Sequence, residues 1–546
     1  MHALPLSPLL SLPDLLMHGA KRWPDGLALI DGDRRWSYAE LAQQVQRFAH
    51  GLRGLGVARG DRVVVLLDKS IEAVVTLMAA PLVGAIVVPV SSLLKRPQLL
   101  HVLRDSGACA LVTTAQRFEQ MGVGPDDDCP SLAVRIGVRA ANGPAIPAGV
   151  VDWSDVMSGP QGLVWQGTDA DPAVIFYTSG STGHAKGVVV SHRNLVAGAA
   201  SVASYLGNNP EDCLLAALPL SFDAGFSQLT TAFLSGARVV LLNYLLPQDV
   251  LKAMNTQGVT GLTAVPPLYS QLAALSESAW VHHGEASALR YFACTGGRMP
   301  RATLGTLRGR WPRAKPFLMY GLTEAFRASY LDPAQVDRRP DSMGKAIPGV
   351  ELEVLRPDGT PCAPREHGEL VQRGATVALG YWADPERTRE RFRPLPPTWP
   401  GMPAHTGTAE RVVYSGDIVW RDEDGYFYFV GRSDDMIKTS GYRVSPSEVE
   451  EAAYETGWIA ECAAVGVADE QLGQTIVLIA MLKEPTLAAG QFDLKSACRE
   501  RLPAYMVPAR IEWVNEALAR NANGKIDRRA LAERLGAAQS PQVQRP

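Results

Sequence analysis

The residue pattern predicts an α/β protein. It has a large N-terminal domain of parallel α/β subdomains with a small antiparallel β subdomain, followed by a small α+β domain at the C-terminus. Three observations carry this. Apolar runs of strand length alternate with helical patterns up to about residue 300. Near residue 345 the pattern turns to short alternating runs joined by Asp-Gly. After residue 435 it resets to a short, separate α/β unit. A chain of 546 residues is also too long for one compact core.

In chain order, residues 15–60 read as helical. DRVVVLLD (61–68) is a buried strand, IEAVVTLMAAPLVGA a helix and IVVPV another strand. Residues 121–168, rich in Gly, Pro and Asp, read as irregular surface. Strands return at ARVVLLN (237–243), GLTAVP (261–266) and LRYFACTGG (289–297), with helical patterns such as PLYSQLAAL between them. GVELEVLRPDGTPC and GELVQRG are antiparallel strands with tight turns. In the last unit, PSEVEEAAYETG and FDLKSACRERL are helices, and AECAAVGVAD and TIVLIAMLK are strands. This divides the chain into residues 1–433, 434–533 and a disordered tail at 534–546.

Composition narrows the function classes. The 53 basic and 56 acidic residues nearly balance, at a net charge of −3, which argues against a nucleic-acid binder. The seven cysteines include no CxxC pair and read as reduced thiols of a cytoplasmic protein. The apolar start lacks a basic flank and is cut by prolines, so no signal peptide is expected. The apolar stretch 78–90 is too short to span a bilayer.

The chemistry concentrates first in YTSGSTGHAKG, residues 177–187. Its glycines permit close backbone approach to an anion. Thr178, Ser179, Ser181 and Thr182 supply hydroxyls, and Lys186 a cation. A P-loop needs Gly at 185 and Ser or Thr at 187, where this chain has Ala185 and Gly187. A flexible Gly/Ser connector is the bland alternative. Asp417 follows a Gly turn and precedes an apolar run, which would place its carboxylate at a strand edge, as a ribose acceptor or a turn cap. Glu324 after Thr323 offers hard oxygens suited to Mg²⁺, or is a solvated charge. Asn523-Gly524 is a turn signal that would project Lys525 from a hairpin tip, in a site or into solvent.

TSGSTGxxKG resembles the phosphate loop of the adenylate-forming superfamily, which comprises acyl-CoA synthetases, amino-acid adenylation domains and luciferases. TGG (295–297), YGLTE (320–324), GYW (380–382), SGD (415–417), GRSDDMIKTSGYRVSPSEVE (431–450) and NANGKIDR (521–528) follow in the family's order and cover nearly the whole chain. The resemblance implies that Thr178 to Gly183, including Gly180, grip phosphates together with Lys186. It implies that Gly296, Gly297, Tyr320 and Gly321 hold adenosine, that Thr323 touches the α-phosphate, and that Glu324 binds Mg²⁺. Asp417 and Arg432 would hold the ribose.

The implied reaction is ATP-dependent. A carboxylate attacks the α-phosphorus, pyrophosphate leaves, and a thiol of CoA, or of a separate carrier protein's phosphopantetheine, then displaces AMP. Lys525 would bridge carboxylate and phosphate as charge builds up. The small domain would be mobile, swinging about Asp434 between the two steps, and Gly441 would line the pantetheine tunnel. In LPLSFDAGFSQL, Phe222 stands where many acyl-CoA ligases carry histidine. Asp223 resembles the aspartate that pairs with an amino acid's ammonium, and a helix-capping role is the alternative. The substrate is therefore a small carboxylic or amino acid. The whole blend is similar to AMP-forming acyl-CoA ligases associated with exosortase A systems. A nucleotide-binding module without catalysis and a luciferase-like oxygenase are the other classes the motifs admit. The former would not need the intact Lys186, Glu324, Asp417, Arg432 and Lys525.

Overall fold

The computed structural model describes residues 9–123, 129–140, 143–157, 162–163, 165–178, 185–283, 288–401, 410–432, 436–483, 493–519 and 526–537. Two large sheets sandwich a layer of helices. In one sheet, the parallel strands Ile86–Pro89, Arg62–Leu66, Ala110–Thr114 and Val134–Val138 are extended by Pro172–Thr178 and then by antiparallel Lys186–Ser191. In the other, Arg238–Leu241, Cys213–Ala216, Gly261–Ala264, Tyr291–Cys294 and Lys315–Tyr320 run parallel.

The alternation of side chains along each strand explains the apolar runs. Val63 and Val65 face the helices between the sheets, while Val64 and Leu66 face an outer core. Leu214 and Ala216 likewise face the central layer, and Cys213 and Leu215 an outer one. A parallel strand covered on both faces has no polar side to show.

The second sheet continues antiparallel through Ser329–Leu331, Ser342–Ala346, Phe427–Arg432, Arg411–Arg421, Gly368–Gly374 and Val350–Leu355. From residue 437 the strands belong to a separate five-stranded sheet. Its Cys462 and Ala464 pack on helices Pro446–Tyr454 and Leu494–Arg501. Its Ala463 and Val465 pack on helix Arg528–Ala537.

Three expectations are corrected. Residues 15–60 are not all helix: strands Leu27–Asp31 and Arg34–Ser37 form a hairpin around Gly32 between two helices. Residues 121–168 are not all irregular, because Val134–Val138 joins the parallel sheet with Ile136 fully buried. The last helix continues to Ala537 with Leu535 buried, past residue 534 where the tail was expected to begin. No described helix is long and apolar enough to cross a membrane.

Candidate active site

A cavity of about 440 Å³ opens where the carboxyl ends of the parallel strands meet the small domain. This is where open α/β sheets bind ligands, because the chain diverges there into loops. Thr178 and Lys186 stand opposite each other at the ends of an antiparallel pair, and Thr178 and Ala185 line the cavity. Ser179, Gly180, Ser181, Thr182 and Gly183 themselves lie outside the described residues, as do Asp434, Lys525 and the side chain of Arg432. Thr178 Oγ1 is buried without a hydrogen-bond partner among the described residues.

Lys186 Nζ donates to Tyr381 Oη at 2.7 Å and to Glu324 Oε1 at 3.3 Å, and the tyrosine hydroxyl donates to the same carboxylate oxygen at 2.8 Å. Arg443, on the small domain's strand Tyr442–Val444, places Nη1 3.7 Å from Glu324 Oε2. Burial pushes the Glu324 carboxyl up, but the charges of Lys186 and Arg443 overcome this and hold it well below the carboxylate range. Burial brings Lys186 down to about 8, against the opposing pull of Glu324. Thr323 and Glu324 open a 3₁₀ turn, and Thr323 lines the cavity.

On the nucleotide side, Gly296, Gly321 and Asp417 also line the cavity, while Gly297 packs against Pro266. Asp417 is not at a strand edge. It sits within the strand Arg411–Arg421, buried, and its carboxylate accepts the Tyr320 hydroxyl. The turn signal of Gly416 is real, but the strand continues through it. Arg432 lies opposite Asp417 in the ladder.

Phe222 and Asp223 lie at the start of helix Asp223–Ser235. Asp223 Oδ1 accepts the Ala224 N–H at 2.7 Å, and Oδ2 stands 4.0 Å from Arg327 Nη1. The Phe222 ring meets Tyr442 of the small domain at 5.9 Å. The small domain enters as a hairpin, Ile437–Thr439 and Tyr442–Val444, whose tip glycine faces Gly296 across the cavity. Gly441 has φ +82°, and a Cβ there would stand 2.7 Å from Val265 Cγ1.

Sequence reasoning missed three side chains: Tyr381, Arg443 and Arg327. The first two stand inside quoted motifs, and Arg327 stands three residues past one. Arg327 owes its direction to a γ-turn: its N–H donates to Ala325 O at 2.6 Å around Phe326, at φ 57° and ψ −52°. That hand of turn is strained for a residue with a side chain. Gln372 braces it, donating to Arg327 O at 2.7 Å.

The family model for AMP-binding enzymes matches residues 16–382, and the model for the AMP-binding enzyme C-terminal domain matches residues 448–525. A feruloyl-CoA synthase of Amycolatopsis is 32% identical over 521 residues, covering 95% of this chain and 97% of its own. An L-proline–[L-prolyl-carrier protein] ligase of Pseudomonas fluorescens is 30% identical over 534 residues, covering 96% and 99%. Among solved structures, a double mutant of o-succinylbenzoate CoA synthetase from Bacillus subtilis, bound with a CoA product analogue, superposes with a TM-score of 0.78. It is 27% identical, covering 95% and 98%. The same enzyme holding its acyl-adenylate, with equal identity and coverage, gives 0.64. The chain therefore belongs to the AMP-binding enzyme family of the adenylate-forming superfamily, among its AMP-forming acid–thiol ligases of the acyl-CoA synthetase type.

Proposed function

We propose a division of labour for this AMP-forming acyl-CoA ligase, which uses ATP, Mg²⁺ and CoA. The observation that carries it is one cavity at the strand ends lined by Thr178, Thr323, Asp417 and Arg443, with the buried Lys186–Glu324 pair joined to its wall through Arg443. Thr178 to Gly183 and Lys186 hold the β- and γ-phosphates. Thr323 orients the α-phosphate, and Asp417 with Arg432 takes the ribose hydroxyls. Gly296, Gly297, Tyr320 and Gly321 shape the adenosine site. Glu324 Oε2 makes no hydrogen bond among the described residues, and that buried carboxylate oxygen fits a hard cation. Bound there, Mg²⁺ neutralises charge on the phosphates.

The acid lies beside Phe222 and Asp223. Its carboxylate oxygen forms a bond to the α-phosphorus as the bond to pyrophosphate breaks, and Lys525 bridges the two anions. The thiol then bonds to the acyl carbon and AMP leaves. The small domain, residues 434–533, turns about Asp434 between these steps. The docked Gly441 hairpin, and the closer match to a complex with a CoA product analogue than to an acyl-adenylate complex, support reading this arrangement as that of the second step.

A second acceptor, the phosphopantetheine of a separate carrier protein, is favoured by the amino-acid-like Phe222–Asp223 pair and by the prolyl-carrier relative. Seven cysteines without a disulfide among the described residues support a reducing cytoplasm. Membership of the exosortase A-associated branch is part of the same proposal.

Replacing Lys525 with Ala separates the steps. Adenylate formation, followed as pyrophosphate release, is expected to fall by about 10³-fold. Thioester formation from pre-made adenylate is expected to persist. Equal loss of both would remove the two-orientation mechanism.

The lowered Lys186 gives a pH signature. Only its protonated form attracts phosphate, so kcat/KM for ATP is expected to fall as pH rises above about 8. Lys186→Arg should push that limb upward. A limb unmoved by the substitution would assign the titration elsewhere.

A further inference from the structure

Asp223 and Arg327 are both buried, at 6% and 3% exposure, on the wall of the acid-binding cavity. Their charges are 4.0 Å apart, beyond hydrogen-bond reach. Arg327 Nε has no hydrogen-bond partner among the described residues, and its Nη1 reaches only the Phe326 carbonyl, at 3.4 Å. Behind Arg327 lies a second cavity of about 20 Å³, onto which Gln228 and Thr231 also open. Gln228 Oε1 and Thr231 Oγ1 are buried and unpartnered as well.

Buried polar atoms left unpaired are costly, and a buried charge more so. A strained γ-turn, braced by Gln372, nonetheless aims this arginine inward. Burial favours the neutral form of Asp223, and Arg327 at 4.0 Å only partly opposes it. Glu324 does not serve Arg327, being engaged by Lys186 and Arg443.

We propose that Arg327 is a specificity-determining residue, and that the acid activated is a short amino acid with a second carboxylate, its ammonium at Asp223 and its second carboxylate at Arg327. This rests on the ligase reading and names its substrate class. A ligand carrying one charge of each sign enters the pair and leaves the pocket neutral. A dicarboxylate without an amine sets a second anion beside Asp223, and a plain alkyl or aryl acid leaves the two charges with only each other, at 4.0 Å. A site built around buried polar groups rejects analogues that lack their partners by large factors.

The test is ATP–pyrophosphate exchange by the full chain with matched acids. These are L-aspartate and L-glutamate, L-alanine and L-2-aminobutyrate, succinate and glutarate, and hexanoate and ferulate. The amino dicarboxylates are expected to exceed all others by about 10³-fold in kcat/KM. Arg327→Gln should erase their advantage over the neutral amino acids, and Arg327→Lys should restore part of it. The wild-type panel stands even if a variant does not fold. Equal use of neutral and acidic amino acids would overturn the assignment of Arg327 while keeping the amine at Asp223. Preference for hexanoate, ferulate or the plain dicarboxylates would overturn the proposal and leave the ligase intact. Exchange with no acid at all would count against the ligase reading itself.

Discussion

Glu324→Gln is expected to slow adenylate formation by about 10³-fold while leaving the fold of the cavity in place. The amide keeps the shape of the carboxylate and can still accept from the Tyr381 hydroxyl, which now reaches Glu324 at 2.8 Å. What disappears is the negative charge. Lys186 and Arg443 would face each other across a neutral side chain, and breaking one partner out of a buried ion cluster is strongly unfavourable. Lys186 relieves this by giving up its proton more easily. Its value of about 8 already reflects burial opposed by Glu324, so without Glu324 the alkaline limb of activity should move to lower pH. Pyrophosphate exchange against pH and Mg²⁺ concentration reads both effects. An unchanged Mg²⁺ requirement would remove Glu324 as the metal's carboxylate, and an unshifted limb would uncouple it from Lys186.

Gly441→Val is expected to do the converse, sparing adenylate formation within about threefold and lowering thioester formation by about 10²-fold. Two costs combine. The backbone at φ +82° is left-handed, which costs an L side chain about 1–2 kcal/mol. The first added carbon would also stand 2.7 Å from Val265, on the wall the hairpin docks against. A hairpin displaced by even an ångström would misplace the path proposed for the thiol. Single-turnover kinetics should show a normal burst of pyrophosphate followed by slow appearance of thioester. A parallel loss in both phases would instead point to a role in folding.

How far the sequence reads depends on what each feature needs. The strands at 62–66 and 261–264 were legible because burial on both faces writes itself as an unbroken apolar run. The hairpin at 27–37 was not, because its Asp31-Gly32 turn lies between two strong helical patterns that swallow two short strands. Val134–Val138 hid in a stretch full of glycine and proline for a similar reason.

Motifs gave Lys186, Glu324 and Asp417, since their residue types and spacing are local facts. Tyr381, Arg443 and Arg327 depend on facts that are not local. Tyr381 matters because strand Gly380–Tyr381 pairs beside Lys186–Ser191. Arg443 matters because of where the small domain docks. Arg327 points inward only because the chain reverses at Phe326. Asp417 was legible as a residue and misread as a position, since a glycine with positive φ can sit inside a continuous strand.

The Arg443–Glu324 contact turns one carboxylate into an interlock. Its Oε2 faces the small domain's guanidinium, and if it also holds the divalent cation as proposed, each would weaken the hold of the other. A magnesium pyrophosphate held by Glu324 and the docked hairpin would then compete for a single oxygen. By reciprocity, each would lower the other's affinity by the same factor. Excess magnesium pyrophosphate should therefore act as an inhibitor that lowers the apparent affinity for the thiol, although it touches no part of the thiol's own tunnel. Reaction order would thus be enforced by a shared ligand, without any need for a timer in the hinge.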